Sequence, residues 1–294
     1  MIGVDFGASY VDVAVIERGN LARTYSVPQK YYSHEFLSNI LKSEMEQGKP
    51  IGRMGKVGIT GIRAKSNLGI AKIRSKTHIG IVSKRNPILS DMRRKFKATQ
   101  VGEIAAIALG AGFLTGKTRF ICANLGTGTP FVFVDGKKHS HIAGTGIGGG
   151  TLEGLGKILI GASISEMEGM ALKGKNSLDL TIGDLLGGGL GKLPAATTAS
   201  NFGKISANGK TSNEDIALSI IGMVGETIGV MGALAAKSCG LKEIVFTGRV
   251  VDENKLIGGK IASATKLFGI RAIFPADAKY CTAIGAALAA EKNK

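Results

Sequence analysis

The sequence predicts an α/β protein made of two duplicated lobes, and three observations carry the prediction. Two glycine-rich loops, Gly3-Val4-Asp5-Phe6-Gly7-Ala8-Ser9 and Asn124-Leu125-Gly126-Thr127-Gly128-Thr129, each leave an apolar strand and run into another. Each half also holds a short strand ending in Thr-Gly, Lys56 to Gly61 in the first and Lys242 to Gly248 in the second. The order, hairpin and then strand-Thr-Gly, is the same in both, which is what internal duplication produces. The chain of 294 residues suffices for two lobes, with a boundary expected near Gly116 that separates residues 1–115 from 116–294.

The elements follow in order. Ile2 to Val4 and Val11 to Ile16 are β-branched strands, closed by the turn residues Glu17-Arg18-Gly19-Asn20. Apolar spacing of three and four marks helices over His34 to Glu46 and Glu103 to Leu114. The second hairpin is Phe120 to Ala123, the Asn124 to Thr129 loop, Phe131 to Val134 and the turn Asp135-Gly136. Seven glycines among the thirteen residues Gly144 to Gly156 would ruin a strand or helix interior, yet Leu152, Leu155, Ile158 and Leu159 keep helical spacing. Backbone that wraps a ligand and then starts a helix facing phosphate accounts for both features. Ser165 to Ala207 is glycine-rich and is expected to form loops and short helices around the site. A helix over Asp215 to Ser238 has Asn213 as its expected cap, acids at its first turn and Gly240 past its end. A last helix is expected over Cys281 to Lys294.

Composition narrows the function classes. The formal net charge is +16, and from Arg53 to Lys97 thirteen Lys or Arg stand against one acid, Asp91. That stretch has a single aromatic, Phe96, and no zinc or RNP pattern, so a solvated basic face that attracts anionic substrates is favoured over a nucleic-acid groove. Cys122, Cys239 and Cys281 lie far apart with no C-x-x-C spacing, which argues against a disulfide framework or metal cluster and fits a reducing cytoplasm. The acidic start Met1-Ile2-Gly3-Val4-Asp5 does not suit a secretory signal, and no apolar run reaches bilayer length without charge or clustered glycine. A cytoplasmic protein without a membrane partner is expected.

The two loops and the Gly144 to Gly156 run converge on phosphate transfer. Glycine lets main-chain N–H groups approach a polyphosphate closely, and a small hydroxyl adds a donor at little steric cost. A strand stopping in Thr-Gly adds free backbone at the sheet's carboxyl edge, where open α/β folds bind ligands. Beyond this, Asn124 to Thr129, Gly144 to Gly156, Ala196-Thr197-Thr198-Ala199-Ser200-Asn201-Phe202-Gly203-Lys204, Ile221-Gly222-Met223-Val224-Gly225-Glu226, Val245-Phe246-Thr247-Gly248 and Ala283-Ile284-Gly285-Ala286 resemble the type II (eukaryotic and staphylococcal) pantothenate kinases. The resemblance is weak only from Tyr25 to about Lys97.

That resemblance implies the actin-like (ribonuclease H-like) ATPase fold, ATP and Mg²⁺ as cofactors, pantothenate or a similar small molecule as substrate, and a homodimer. It places Asp5 beside the metal and the phosphates, with Gly7, Ala8 and Ser9 in the same loop. Glu103, followed by Ala105, Ala106 and Gly110, falls at the catalytic glutamate that takes the proton of the attacking hydroxyl. Without the resemblance Glu103 reads as an ordinary first-turn acid. Gly126, Thr127, Gly148, Gly149, Gly150 and Thr151 would cradle the phosphates, Thr127, Thr129, His141 and Gly144 would meet the substrate, and Gly248, Arg249 and Ala283 to Ala286 would border adenosine. Arg249 reads equally as a surface charge.

Four positions depart from the family's pattern. The first loop reads Gly7-Ala8-Ser9 instead of Gly-Gly-Thr, and Asp12 stands where a lysine is usual. His141 occupies the place of an arginine that would bind the substrate carboxylate, and neutral histidine is a poorer partner than a bidentate guanidinium. Lys137, Lys138 or His139 would compensate; His141 as a plain strand-end residue stays open beside this. A kinase acting on another hydroxy compound is therefore the alternative within the class. An ATPase-type activator of the same fold is the alternative outside it, weakened by cysteines too scattered to hold an iron–sulfur cluster.

Overall fold

Continuous buried apolar runs form the central strands of two sheets of the same design. The computed structural model describes residues 1–46, 79–82, 98–175, 177–205 and 211–292. Strands β1 (Ile2–Phe6), β2 (Tyr10–Glu17) and β3 (Asn20–Pro28) form an antiparallel meander with Val4 opposite Val13 and Asp5 opposite Asp12. Helix α1 (His34–Glu46) follows, and then β4 (Ile79–Val82) lies parallel to the other side of β1, with β5 (Thr99–Gln100) outside it. Helix α2 (Glu103–Thr115) ends at Gly116, in the left-handed conformation, and leads into the second meander. This is β6 (Arg119–Asn124), β7 (Thr129–Asp135) and β8 (Lys138–Thr145).

Helices α3 (Gly149–Ile160) and α4 (Ile164–Ala171) come next, then the small pair β9 (Leu180–Thr181) and β10 (Thr198–Ser200), with α5 (Ile182–Leu186) between them. The long α6 (Asn213–Ser238) precedes β11 (Glu243–Thr247), α7 (Arg249–Glu253), α8 (Lys255–Leu267), β12 (Arg271–Ile273) and α9 (Cys281–Lys292). The first sheet runs β3-β2-β1-β4-β5 and the second β12-β11-β6-β7-β8, so each is a three-stranded meander with two parallel strands added beside its first strand.

The duplication expected from sequence is thus present as identical strand order. The strand that stands beside β1 as β11 stands beside β6 is Ile79–Val82. Lys56 to Gly61, the sequence's match for β11, lies outside the described residues, as does most of the basic stretch from Arg53 to Lys97. The third strand of each meander was not legible, since β3 is largely polar and half-buried and β8 is largely polar and exposed. The cap of α6 is Ser212, whose Oγ accepts from the Asp215 N–H at 3.1 Å, so Asn213 is the first helical residue. By length and composition α6 would suffice to cross a bilayer, but its apolar residues Ile220, Ile221, Val224 and Ile228 are fully buried in the second lobe's core with Phe131, Ile244 and Phe246.

The two lobes have separate cores. Val4, Val13, Leu37, Leu41 and Ile81 form that of the first sheet. Helix α9 completes the first sheet, although it follows the second in sequence: it packs on β1, β4 and α2. The approach is backbone to backbone. A methyl group at Gly3 would sit 1.8 Å from the Ala283 carbonyl oxygen, one at Gly80 1.8 Å from that of Ala286, one at Gly285 1.7 Å from that of Ala106, and one at Gly110 1.9 Å from that of Cys281. Only glycine permits such contact.

Alanine therefore has opposite effects at two helical glycines. Gly154, inside α3 with nothing within 4 Å of a built Cβ, gains about 0.5–1 kcal/mol of stability as Gly154→Ala. Gly110→Ala, inside α2, loses about 3 kcal/mol because backbone must move. Denaturant midpoints of the two variants check the contrast, and equal stabilities would contradict the packing described.

Candidate active site

Both glycine-rich loops leave the carboxyl ends of equivalent strands, β1 and β6. In the first, Asp5 is half-buried near the end of β1, Gly7 is half-buried, and Ala8 and Ser9 are exposed at the turn into β2. The Ser9 carbonyl accepts from the Gln29 N–H at 2.8 Å, which fixes the turn against the end of β3. In the second loop Gly126 donates its N–H to both Asn124 O and Gly128 O, at 3.1 and 3.0 Å, a tight curl that leaves Thr127 exposed at its tip.

The glycine run packs onto this curl. The Gly149 N–H donates to Gly126 O at 2.8 Å and the Gly150 N–H to Thr127 O at 2.9 Å. Gly148 N–H is taken by Thr151 Oγ1 at 3.2 Å. The first amides of α3 are thus engaged by the second loop in this conformation, and the run acts as its buttress. Close approach explains the residue type, because a Cβ at Gly148 would lie 2.8 Å from Thr127 O and one at Gly149 2.9 Å from Gly126 O. Thr129 is buried and its hydroxyl donates to Ile147 O at 2.8 Å, which ties the base of the curl to the start of the glycine run.

The Thr-Gly turn stands beside this curl. Leu125 N–H donates to Thr247 O at 2.7 Å, and Thr247 Oγ1 donates to Asn124 Oδ1 at 2.9 Å. Gly248 has φ of +97°, and a side chain there would lie 2.4 Å from Leu125 O. No other residue type fits both demands.

Glu103 is the first residue of α2, after the cap Gly102, half-buried where the positive helix end favours an anion. Its helix packs on α9 and on β6, β7 and β8, so it stands between the two sheets. His141 is exposed on β8 opposite Val132, and its ring lies over Gly144, where a Cβ would come within 3.2 Å of Nε2. Ala283, Ile284 and Ala286 are fully buried where α9 packs on the first sheet.

One constellation went unread in the sequence. Asp12, on β2 opposite Asp5, accepts from Arg249 Nη2 at 2.5 Å and from Ser26 Oγ at 2.6 Å. The Arg249 guanidinium also reaches Ser26 Oγ at 2.7 Å and Glu253 at 2.6 Å, and lies 3.7 Å over the Tyr10 ring. Burial pushes the Asp12 carboxyl above its usual range although Arg249 pulls the other way. Burial also opposes the Arg249 charge, but Asp12 and Glu253 hold it above its ordinary value. The available signal was Asp12 itself, an acid amid the β-branched residues of a buried strand. Two family-like segments also meet: Thr198 Oγ1 donates to Glu226 Oε1 at 3.1 Å and Asn201 Nδ2 to Glu226 Oε2 at 3.4 Å.

Two duplicated sheets with paired glycine loops at equivalent strand ends define an actin-like ATPase fold, and solved structures agree. The chain superposes on component A of (R)-2-hydroxyglutaryl-CoA dehydratase from Acidaminococcus fermentans with a TM-score of 0.66 at 16% identity, covering 99% of this chain and 97% of that one. It superposes on a ROK family glucokinase from Streptomyces griseus, solved with glucose and AMPPNP, with a TM-score of 0.59 at 14% identity over 100% and 99% of the two chains. The chain belongs to the Fumble family, whose model matches residues 116–289. Among curated relatives it is similar to a type II pantothenate kinase of Bacillus cereus, 27% identical over 100% of this chain and 98% of the relative. It is 31% identical to a type II pantothenate kinase of Bacillus anthracis over 68% and 75% of the two.

The threonines of the second loop separate by role. Thr129→Val leaves the Ile147 carbonyl without its donor and costs about 1–3 kcal/mol, largely recovered in Thr129→Ser. Thr127→Val, at the exposed tip, stays within about 0.5 kcal/mol of the parent. Thermal unfolding of the three variants measures this, and equal loss at both positions would contradict the bonding described.

Proposed function

We propose that this protein is an ATP-dependent kinase that phosphorylates the primary hydroxyl of pantothenate to 4'-phosphopantothenate, the first step of coenzyme A biosynthesis. The observation that carries the proposal is the likeness to type II pantothenate kinases along the whole chain, on a fold that sets two glycine loops at equivalent strand ends. Residues 1–115 would supply the first phosphate loop and the base, and residues 116–294 the second loop, the glycine run and the adenosine side, with α9 returning to the first sheet. A homodimer in the cytoplasm, with no membrane or nucleic-acid partner, belongs to the same proposal.

Phosphoryl transfer asks for positioning and charge stabilisation more than for covalent chemistry. Thr127, at the tip of its curl, would donate to a phosphate oxygen or the substrate, together with amides of the Gly7-Ala8-Ser9 turn. Gly148, Gly149, Gly150, Thr151 and Thr129 would hold the curl in shape. Gly248 would leave room for the nucleotide beside Leu125. Glu103 would accept the proton of the attacking hydroxyl, and His141 and Gly144, stacked on β8, would meet the far end of the substrate. Magnesium needs hard oxygen ligands and is commonly held by one or two carboxylates plus substrate phosphates, a need the half-buried Asp5 carboxylate at a phosphate loop meets. The ion would neutralise charge on the transferring phosphoryl group.

A related kinase with another small hydroxy substrate is the second reading, favoured by His141 where the family has a carboxylate-binding arginine. Purified protein with ATP and a panel of hydroxy compounds decides between them by mass detection of the phosphorylated product. Pantothenate is the expected acceptor, and product from another compound alone overturns that assignment. Glu103→Gln is expected to lower kcat by about 100-fold or more while an ATP analogue binds within about threefold of the parent. Loss of analogue binding in a folded Glu103→Gln protein would make Glu103 a nucleotide-site residue instead.

A further inference from the structure

We propose that Asp12 and Arg249 are positioning residues, an ion pair between the lobes that sets the distance between the two nucleotide-facing loops. The inference rests on the reading above only in requiring that the protein bind ATP.

The guanidinium of Arg249 is spent on protein. Nη2 serves Asp12 and Ser26, Nη1 serves Glu253, and the face lies on Tyr10. The side chain is 18% exposed and that of Asp12 10%. A guanidinium with two nitrogens and one face engaged in this way is held in one orientation and is poorly placed to read a nucleotide.

Its anchors come from both lobes. Tyr10 directly follows Ser9 of the first loop, and Asp12 stands opposite Asp5. Arg249 directly follows Gly248, whose backbone lies against Leu125 of the second loop. The pair therefore joins the strand that returns from the first loop to the turn that lies against the second. The second lobe braces its end: Lys279 reaches Glu253 at 3.2 Å and Asp252 at 3.7 Å, and Gly248 N–H donates to Ala278 O at 2.9 Å.

Energetics point to geometry as the pair's contribution. Two charges taken largely out of water recover little net stability, because desolvation offsets their attraction. What such a pair contributes is a fixed relative placement, here of two hairpins that share no sheet. Without it, a smaller share of the protein holds both loops at nucleotide spacing, and the apparent affinity for ATP falls by that share.

The experiment is a double-mutant cycle on the full chain with Asp12→Asn, Arg249→Gln and the double variant, following ATP-analogue affinity by calorimetry, kcat and KM for ATP, and thermal unfolding. The expected result is a rise of about tenfold in KM for ATP and in analogue Kd for each single variant, the same rise in the double variant, and kcat at saturating ATP within about twofold. Three outcomes overturn the proposal. A rise for Arg249→Gln alone, with Asp12→Asn unchanged, makes Arg249 a direct nucleotide ligand. Additive rises make the two residues independent. A lowered melting temperature with unchanged affinity makes the pair merely structural. Because analogue binding is measured without an acceptor, a wrong assignment of pantothenate shows in the product assay and leaves this cycle intact; a parent protein that binds no ATP analogue overturns both.

Discussion

Everything in the first lobe depends on the contact between α9 and the backbone it rests on. Four glycines, on two strands and two helices, let carbonyl oxygens of α2 and α9 come where a Cβ would otherwise be. The contact fixes three things at once. It covers β1 and β4, it seats α2 against α9, and through α2 it fixes where the acid at the helix start stands relative to the second sheet. Apolar burial supplies the driving force, but the absence of side chains at those four places sets the geometry.

The second lobe reaches comparable rigidity by hydrogen bonding. The curl at Thr127 is held from below by the amides of Gly149 and Gly150, from its base by the Thr129 hydroxyl, and from the side by the Thr247-Gly248 turn. Glycine here serves backbone-to-backbone packing, and any phosphate contact is built on that support. Beside the packing of α2 on the second sheet, the two lobes meet through an ion pair whose members sit near the loops, while the loop tips at Ala8, Ser9 and Thr127 are exposed.

The fold was legible where a local rule and a periodic one agreed. Both hairpins, α2, α6 and α9 come from apolar spacing closed by turn residues, and the repeated hairpin gave the two-lobed architecture. The third meander strands escaped because Lys138 to Thr145 carries two histidines, a lysine, a serine and glycine on an exposed edge, which no periodicity test separates from a loop. Strand β4 was not legible because Ile79-Gly80-Ile81-Val82 lacks the Thr-Gly ending that marks β11. At the site, glycine content located the loops but could not show which amides are already bonded. The pairing of Asp12 with Arg249 spans 237 positions, and no spacing rule reaches that far.

The late position of α9 has a consequence for how the chain acquires its shape. During synthesis the first sheet emerges before the helix that covers one of its faces, and that cover arrives only after the second sheet has been made. The lobe that comes first in sequence is thus the one finished last, an exception to the usual course in which an N-terminal unit folds as it leaves the ribosome. The apolar face of β1 and β4 waits in the nascent chain without its natural cover, a stage at which a chaperone holding exposed strands would matter most.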